Sequence, residues 1–560
     1  MESKKSDMPS GAPLPKDAEI GSFSLTPPWI VDVSKLEWLG EINSLRERTR
    51  AELPSLIKKR RIPPANRVIG TGFQLGKALV LWRLVERRSG GSVSKRGISH
   101  RLRDAFEELG PTYIKLGQIL SAGNGIFPEE LVSEFKSLLD QVKPEPFSVV
   151  RQTIEKELKR PLEDIFSEFD TRPLAAASIA QVHVAKLRTG EEVVVKVQRP
   201  NVAELVRSDL AAMSWIAPAL VGRIPISALA NPPALVELFA ETIIEELDFR
   251  LEAANMLDIA EILAKTNQRA LIVPRPHQRY VTRKVLVMER LKGFSWDDVS
   301  GMLDAGIDTA QVVSAGMIAF MEGAMIYGVF HGDLHGGNLL VLNNGEVGLL
   351  DYGITGRLGE KERLAFLRLL IGGTINDVTM QVSALRDMGA LPKDTDLEAV
   401  IKELGLDGPA MDPTAMTPDE LVAEIRNLTK ALLGFGAKMP KELMLFVKNM
   451  IFLDSAMVSL APNLDLFAEI TQLATYFTSK YGEKFAQEIG VDLRQTPVDL
   501  LGVKESLGLD PSIDTLTYKE LVERRELIRK RMEVGGRNRP TKKTLTSTWK
   551  FARTILGKKG

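Results

Sequence analysis

The sequence predicts an α+β protein in which a small, sheet-containing lobe lies beside a larger helical lobe. Three observations carry this expectation. Helical periodicity fills most of the chain up to about residue 166 and returns from Asp297 to about Tyr476. Between these blocks lie short β-rich groups, Ala180–Arg188 with Glu192–Gln198 and then Tyr280–Arg290. At 560 residues the chain exceeds one hydrophobic core, so two or more lobes with extensions are expected.

The elements follow in order. Met1 to Leu25 is polar and Pro/Gly/Ser-rich, without the apolar run of a signal peptide, and reads as a disordered tail. Ser44–Leu84 has helical periodicity, interrupted by the basic run Lys58-Lys59-Arg60-Arg61 and by Pro63-Pro64. A helical block from about Gly97 to Phe166 is punctuated by Pro111, Pro128, Pro144 and Pro161. Thr189-Gly190 reads as a hairpin turn, and Asn343-Asn344-Gly345 as a second one within Leu339–Asp351. The organisation expected is a tail over 1–30, a helical region over 31–96, a helical extension over 97–168, a small lobe over 169–292, a large lobe over 293–480 and a C-terminal extension over 481–560.

Composition excludes several chemistries. There is no cysteine, which removes disulfides, thiolate catalysis and Cys-ligated metals. The five histidines form no His-Glu-x-x-His pair. Net charge is zero, giving no global reason to expect nucleic acid as a partner. That balance hides a basic end, with 14 Lys+Arg against 4 Asp+Glu from Lys519 to Gly560.

Four segments carry the chemistry. Lys196 stands on the apolar strand Val193–Val197, where it either contacts phosphate as a point charge or faces solvent from an edge strand. In His331-Gly332-Asp333-Leu334-His335-Gly336-Gly337-Asn338, Asp333 precedes Asn338 by five residues, the spacing of a phosphoryl-transfer loop whose Asp faces the acceptor and whose Asn holds Mg²⁺. Asp351-Tyr352-Gly353 follows an apolar strand and would hold Mg²⁺ between phosphates. Glu241–Asn255 reads as one acidic helix with Glu245, Asp248 and Glu252 on one face and Glu246 on another, so that a cation such as Lys196 is expected to meet it. Each segment alone also suits a polar turn or a solvated helix face; their order along the chain is what points to phosphoryl transfer.

Other features depart from ordinary protein kinases. Ala175-Ala176-Ala177-Ser178-Ile179-Ala180-Gln181-Val182-His183 replaces a Gly-rich loop, Gly332 stands where an Arg is usual, and no Ala-Pro-Glu follows Asp351. With Lys115-Leu116-Gly117-Gln118, Glu246-Leu247-Asp248 and Glu252 in Glu-Ala-Ala-Asn, the chain resembles the UbiB (ADCK) family of atypical kinases over about residues 100–375. The resemblance implies a protein-kinase-like two-lobe fold with a helical K-x-G-Q extension, binding ATP or ADP with Mg²⁺. It implies that Lys196 contacts phosphates and pairs with Glu252, that Asn338 and Asp351 bind Mg²⁺, and that Asp333 holds the catalytic-base position. Residues 175–180 would cover the phosphates, and backbone groups of Glu289 and Leu291 would meet adenine. Lys115 and Gln118 would fold over the site to meet Glu246 and Asp248, closing the face where a peptide would dock. It further implies an ATPase supporting isoprenoid-quinone biosynthesis or lipid homeostasis, with quinone-biosynthesis proteins as partners. The alternatives are a kinase acting in trans and a nucleotide-sensing scaffold without turnover.

Two observations bear on location. Ala211–Gly222 and Val312–Phe330 read as buried helices, so no transmembrane helix is expected and a cytoplasmic protein follows. Leu545, Trp549, Ala552 and Leu556 share a helical face ringed by lysines and arginines, which suits either an anionic membrane surface or docking on an acidic body.

Overall fold

The computed structural model describes residues 15–58, 65–121, 128–139, 143–220, 232–406, 431, 434–437, 440–495, 498–507 and 509–535. Residues 1–14, most of the basic run with Pro63-Pro64, and the C-terminal amphipathic segment around Trp549 lie outside them.

The disordered tail expected over 1–30 is corrected for residues 15–30, which strap across the small lobe. The Ser22 backbone donates to Ala260 (2.9 Å) and accepts from Val273 (3.0 Å), and Trp29 Nε1 donates to the Pro276 carbonyl at 3.2 Å. Ala18 and Phe23 are buried. The anchor is ionic: Arg275, wholly buried, meets Asp17 on one side and Glu289, at 3.0 Å, on the other. A segment of low apolar content is thus ordered by satisfying a buried cation.

Helices α1 (Ile42–Ile57), α2 (Ala65–Val85), α3 (Gly91–Leu109), α4 (Pro111–Ser121) and α5 (Glu129–Lys136) follow. Helix α3 runs through the boundary expected at 96/97 and ends at Gly110, whose φ of 97° needs glycine. Next come α6 (Phe147–Leu158), α7 (Leu162–Ile165) and the strands β1 (Phe166–Phe169), β2 (Ala175–Ala176), β3 (Ala180–Leu187) and β4 (Glu192–Gln198). Helices α8 (Val202–Leu220), α9 (Pro232–Glu245) and α10 (Phe249–Lys265) precede β5 (Leu271–Ile272), β6 (Pro276–Val281) and β7 (Val285–Glu289). The small-lobe sheet is ordered β1-β3-β4-β7-β6 and antiparallel throughout, with β2 beside β3. Val193, Val195 and Val197 pack with Val150 and Ile154 of α6, which covers one face of this sheet. By the two-residue alternation, Lys196 points to the other face. Strand β4 lies between β3 and β7, so the edge-strand alternative for Lys196 does not hold.

The large lobe contains β8 (Phe294–Ser295), α11 (Val299–Asp304), α12 (Thr309–Glu322), β9 (Val329–His331), β10 (Leu339–Val341), β11 (Val347–Leu349), β12 (Thr355–Arg357), α13 (Glu360–Thr374), α14 (Val378–Asp387), α15 (Leu397–Glu403), α16 (Lys441–Leu460), α17 (Leu466–Ile489), α18 (Leu500–Ser506) and α19 (Tyr518–Gly535). The hairpin β10–β11 pairs Leu339 with Leu349 and turns at Gly345, where φ is 83°. Phe446 of α16 stacks on Phe320 of α12 at 5.2 Å and meets Phe366 of α13 edge-on at 4.5 Å, so α16 is central to this core.

The single acidic helix expected over Glu241–Asn255 is two helices. Helix α9 stops at Glu245 and α10 starts at Phe249, with Asp248 as its N-cap accepting the Arg250 N–H at 3.1 Å. Asp248 also pairs with the Arg250 side chain at 2.7 Å, and Glu245 with Lys441 at 3.4 Å. Glu245, Asp248 and Glu252 therefore share no helix face. A capping carboxylate outweighed helical continuity.

The uninterrupted-run criterion behind the expectation of no transmembrane helix passes over helices of sufficient length and composition. By length and composition Asn66–Val85, Thr309–Tyr327 and Lys441–Leu460 are long and apolar enough to cross a membrane. The second and third are 61% and 50% buried, against 11% for the first. On α2 the side chains of Ile69, Phe73, Val80 and Leu84 are 69%, 67%, 56% and 69% exposed. Their spacings of four, seven and four residues put them on one face.

Arg275→Met leaves Asp17 and Glu289 buried without their cation. It is expected to cost about 3–5 kcal/mol of stability, read as a lowered midpoint in denaturant or heat. An unchanged midpoint would show that the strap is not held by this cluster.

Candidate functional site

The cleft between the lobes is organised around Lys196. From β4 its ammonium reaches Glu252 of α10 at 2.6 Å and Asp351 at 3.1 Å, with the Phe249 ring 5.5 Å away. Burial opposes charge on this ammonium, and Asp351 with Glu252 more than reverses that, so Lys196 is held charged. Burial likewise opposes charge on Asp351, and Lys196 and then Lys115 outweigh it, bringing the carboxyl down to about 2. The Gly353 N–H donates to Asp351 Oδ1 at 2.9 Å, fixing the turn.

His331 ties the two loops together. Its Nδ1 accepts the Asp333 N–H at 3.2 Å, and its Nε2 donates to the Asp351 carbonyl, which defines a neutral tautomer. Burial lowers its pKa, in keeping with that assignment. Gly332 is required by space: a Cβ there would lie 2.7 Å from the Ile354 side chain. Asn338 Nδ2 donates to the Asp333 carbonyl at 3.0 Å, leaving its amide oxygen for a cation. Tyr352 is buried against His331, with ring centroids 5.3 Å apart, and Asn255 holds its carbonyl through Nδ2 at 3.0 Å. Asn255 is in turn held by Arg357, at 2.7 Å, and Arg46.

The alanine-rich segment is a tight turn between β2 and β3. Ala175 and Ala176 pair with Val182 and Gln181, Ala177 N–H donates to the Ala180 carbonyl at 2.8 Å, and Ser178, Ile179 and Ala180 are buried. Arg199 braces it, donating to the Ala177 carbonyl at 3.0 Å and pairing with Glu145 at 2.8 Å. Glu289 ends β7. Its side chain points to Arg275 and Ser24, and its N–H donates to the Arg275 carbonyl at 2.9 Å.

The extension closes over the cleft through Lys115, whose ammonium lies 2.9 Å from Glu246. Burial opposes the charge on Lys115, and Glu246, Asp333 and Asp351 together overcome it. Glu246 lies over the Asp-Tyr-Gly turn, since a Cβ on Gly353 would be 3.2 Å from its Cγ. Gly117 allows the close packing, because a Cβ there would collide with the Leu138 side chain. Gln118 and Asp248 do not meet as expected: Gln118 Nε2 donates to the Leu138 carbonyl at 3.3 Å, and Asp248 is turned away to cap α10.

Two residues that sequence reasoning missed come from α16. Asn449 accepts the Leu334 N–H at 2.9 Å and donates to the His331 carbonyl, while Lys448 forms an ion pair with Asp333. Burial would raise the Asp333 carboxyl, but Lys448 above all, with Lys115, holds it well below the ordinary range. A lysine inside an apolar helix was the available signal, but nothing local connects it to a loop 115 residues earlier.

The divided architecture, with a lysine from the sheet lobe bridging to two carboxylates at the interlobe cleft, is that of a protein-kinase-like fold. Comparison with known proteins narrows the class. Residues 137–384 match the ABC1 atypical kinase-like domain family. An uncharacterised protein of Mycobacterium tuberculosis strain H37Rv is 33% identical over 418 residues, spanning 74% of this chain and 85% of that protein. A chloroplastic aarF domain-containing protein kinase of Arabidopsis thaliana is 31% identical, over 69% of this chain and 76% of that one. A probable protein kinase UbiB of Pseudomonas paraeruginosa is 32% identical, over 70% and 73%. The chain belongs to the UbiB (ADCK) family of ABC1-type atypical kinase-like proteins.

Asn449→Ala is expected to lose about 1–3 kcal/mol of stability for each backbone group of the His331–Asn338 loop left buried and unpaired. The measurement is a denaturant midpoint, and a loss no larger than that of an exposed alanine substitution on α16 would count against the contact.

Proposed function

We propose that the protein binds a Mg-nucleotide and turns ATP over as an atypical kinase-like ATPase. The observation that carries this is the buried Lys196, paired at once with Glu252 and Asp351. Two carboxylates converge on one ammonium at the position where a nucleotide's phosphates would need a cation. Among the described residues no three or more acidic or histidine side chains cluster to hold a metal. That fits Mg²⁺, which takes one or two protein ligands and completes its shell with phosphate and water. Asn338 and Asp351 supply two hard oxygen donors, and a bound Mg²⁺ would neutralise phosphate charge.

In this reading Lys196 grips the phosphates and Glu252 keeps it aimed. Asp333 faces the acceptor, residues 175–180 cover the phosphates, and the Glu289 carbonyl and Leu291 N–H meet adenine. The Lys115–Glu246 pair occupies the face a peptide would need, which favours ATP hydrolysis or a small acceptor over phosphorylation of proteins in trans. The family's association with isoprenoid-quinone biosynthesis and lipid homeostasis makes a lipid or quinone precursor, and proteins handling it, the partners. The exposed apolar stripe of α2 supports work against a membrane surface.

MgADP or MgATP at about 100 times Kd is expected to stabilise the protein by roughly 2.7 kcal/mol, seen as a thermal shift. The shift should require Mg²⁺ and be lost in Asp351→Asn. No shift with either nucleotide would sink the reading, and binding without turnover would favour a nucleotide-sensing scaffold. With anionic vesicles, the double substitution Phe73→Asp with Leu84→Asp should abolish most co-sedimentation, and full retention would remove α2 as the membrane face.

A further inference from the structure

Helix α16 lies beyond the 137–384 segment matched to the ABC1 family, yet it delivers a third ammonium group to the cleft. Lys196 is shared by Glu252 and Asp351, and Lys115 is paired with Glu246. Lys448 is set on Asp333, with its side chain only 16% exposed. The catalytic loop supplies no positive charge of its own at this end. His335, two residues after Asp333, accepts the Gly337 N–H through Nδ1 at 3.1 Å, which leaves its ring neutral.

Docking of α16 does not need this lysine. Asn449 already satisfies two backbone groups of the loop, and Phe446 anchors the helix in the aromatic core. A charge that packing does not require, held at the acceptor end of a phosphoryl-transfer cleft, has a chemical use there. Negative charge concentrates on the terminal phosphate, and a preplaced cation stabilises it. ADP stops one phosphate short.

We propose that Lys448 is a phosphate-contacting residue of the nucleotide site, resting on Asp333 until the terminal phosphate of ATP arrives and then bearing on that phosphate. This rests on the Mg-nucleotide reading above and adds to it a residue that discriminates tri- from diphosphate.

The test is calorimetric titration of the full chain with MgADP and with a Mg-bound, non-hydrolysable ATP analogue. Lys448→Met keeps the aliphatic stem and removes the charge. It is expected to weaken the analogue about tenfold or more while MgADP stays within about twofold of wild type. Lys448→Arg should recover most of the loss. A merely structural lysine would move both ligands together, so equal weakening, or no weakening, overturns the proposal. So does a wild type that takes MgADP but not the analogue. If the methionine form melts early, Lys448→Gln is read in its place, with MgADP affinity reporting an intact site. A wild type that binds neither nucleotide fails at a different point, since it sinks the nucleotide reading before any variant is compared.

Discussion

An ammonium group withdrawn from water must find carboxylates, and here the join between the lobes is built on that requirement. Lys196 leaves a strand whose other face is packed valine, and meets Glu252 from α10 and Asp351 from the loop after β11. Glu252 could not be buried there without the cation, and the cation could not be buried without a carboxylate, while the Asp351 side chain stays 40% exposed. The sheet, α10 and the Asp-Tyr-Gly turn are therefore positioned by one triad. His331 extends the constraint to the loop 331–338, because its neutral ring bridges the Asp333 N–H and the Asp351 carbonyl. Asn255, one turn after Glu252 on the same helix, holds Tyr352 from behind.

The break between α9 and α10 follows from the same economy of charge. A continuous helix would spread Glu245, Glu246, Asp248 and Glu252 over adjoining faces, with too few cations within reach. Ending α9 at Glu245 and restarting at Phe249 sends each carboxylate to a different partner: Glu245 to Lys441, Glu246 to Lys115, Asp248 to the first turn of α10 and Glu252 to Lys196. The helical extension is thereby tied to the cleft at Glu246, beside Gly353. The packing of the extension against the cleft is a consequence of where an acidic segment finds its counter-charges.

This also explains what could be read from the sequence. The two lobes and the family were legible because the informative residues sit in short motifs whose spacing reflects local geometry, such as five residues from Asp333 to Asn338. Contacts between distant segments left no such trace. Asp17 and Arg275 are 258 residues apart, and a polar N-terminal stretch gives no hint that it will be ordered by one buried guanidinium. The helical period over 241–255 is genuine on both sides of the break, and only the cap at Asp248 reveals the interruption. The apolar stripe of α2 was hidden by Arg67, Lys77 and Arg83, which break any uninterrupted apolar run, and Lys77 and Arg83 flank the stripe itself.

The three helices apolar enough for a membrane among the described residues are not equivalent, and the cleft decides between them. Helix α16 carries Lys448 and Asn449 in its middle, and both are engaged with the loop 331–338. Moving that helix into lipid would strand the Asp333 carboxylate and two backbone groups of the loop. Helix α12 sets Glu322, fully buried, against Tyr476, Tyr481 and Lys480 of α17, and is bound into the lobe no less firmly. Helix α2 has no such obligation on its outer side. Its inner side touches the extension, with Thr71 against the Tyr113 hydroxyl at 2.7 Å, while Phe73 and Leu84 point outward. Tyr113 lies two residues before Lys115 on α4, and Lys115 closes the cleft on Glu246. An apolar surface pressing on α2 would therefore act one helix away from the Lys115–Glu246 pair.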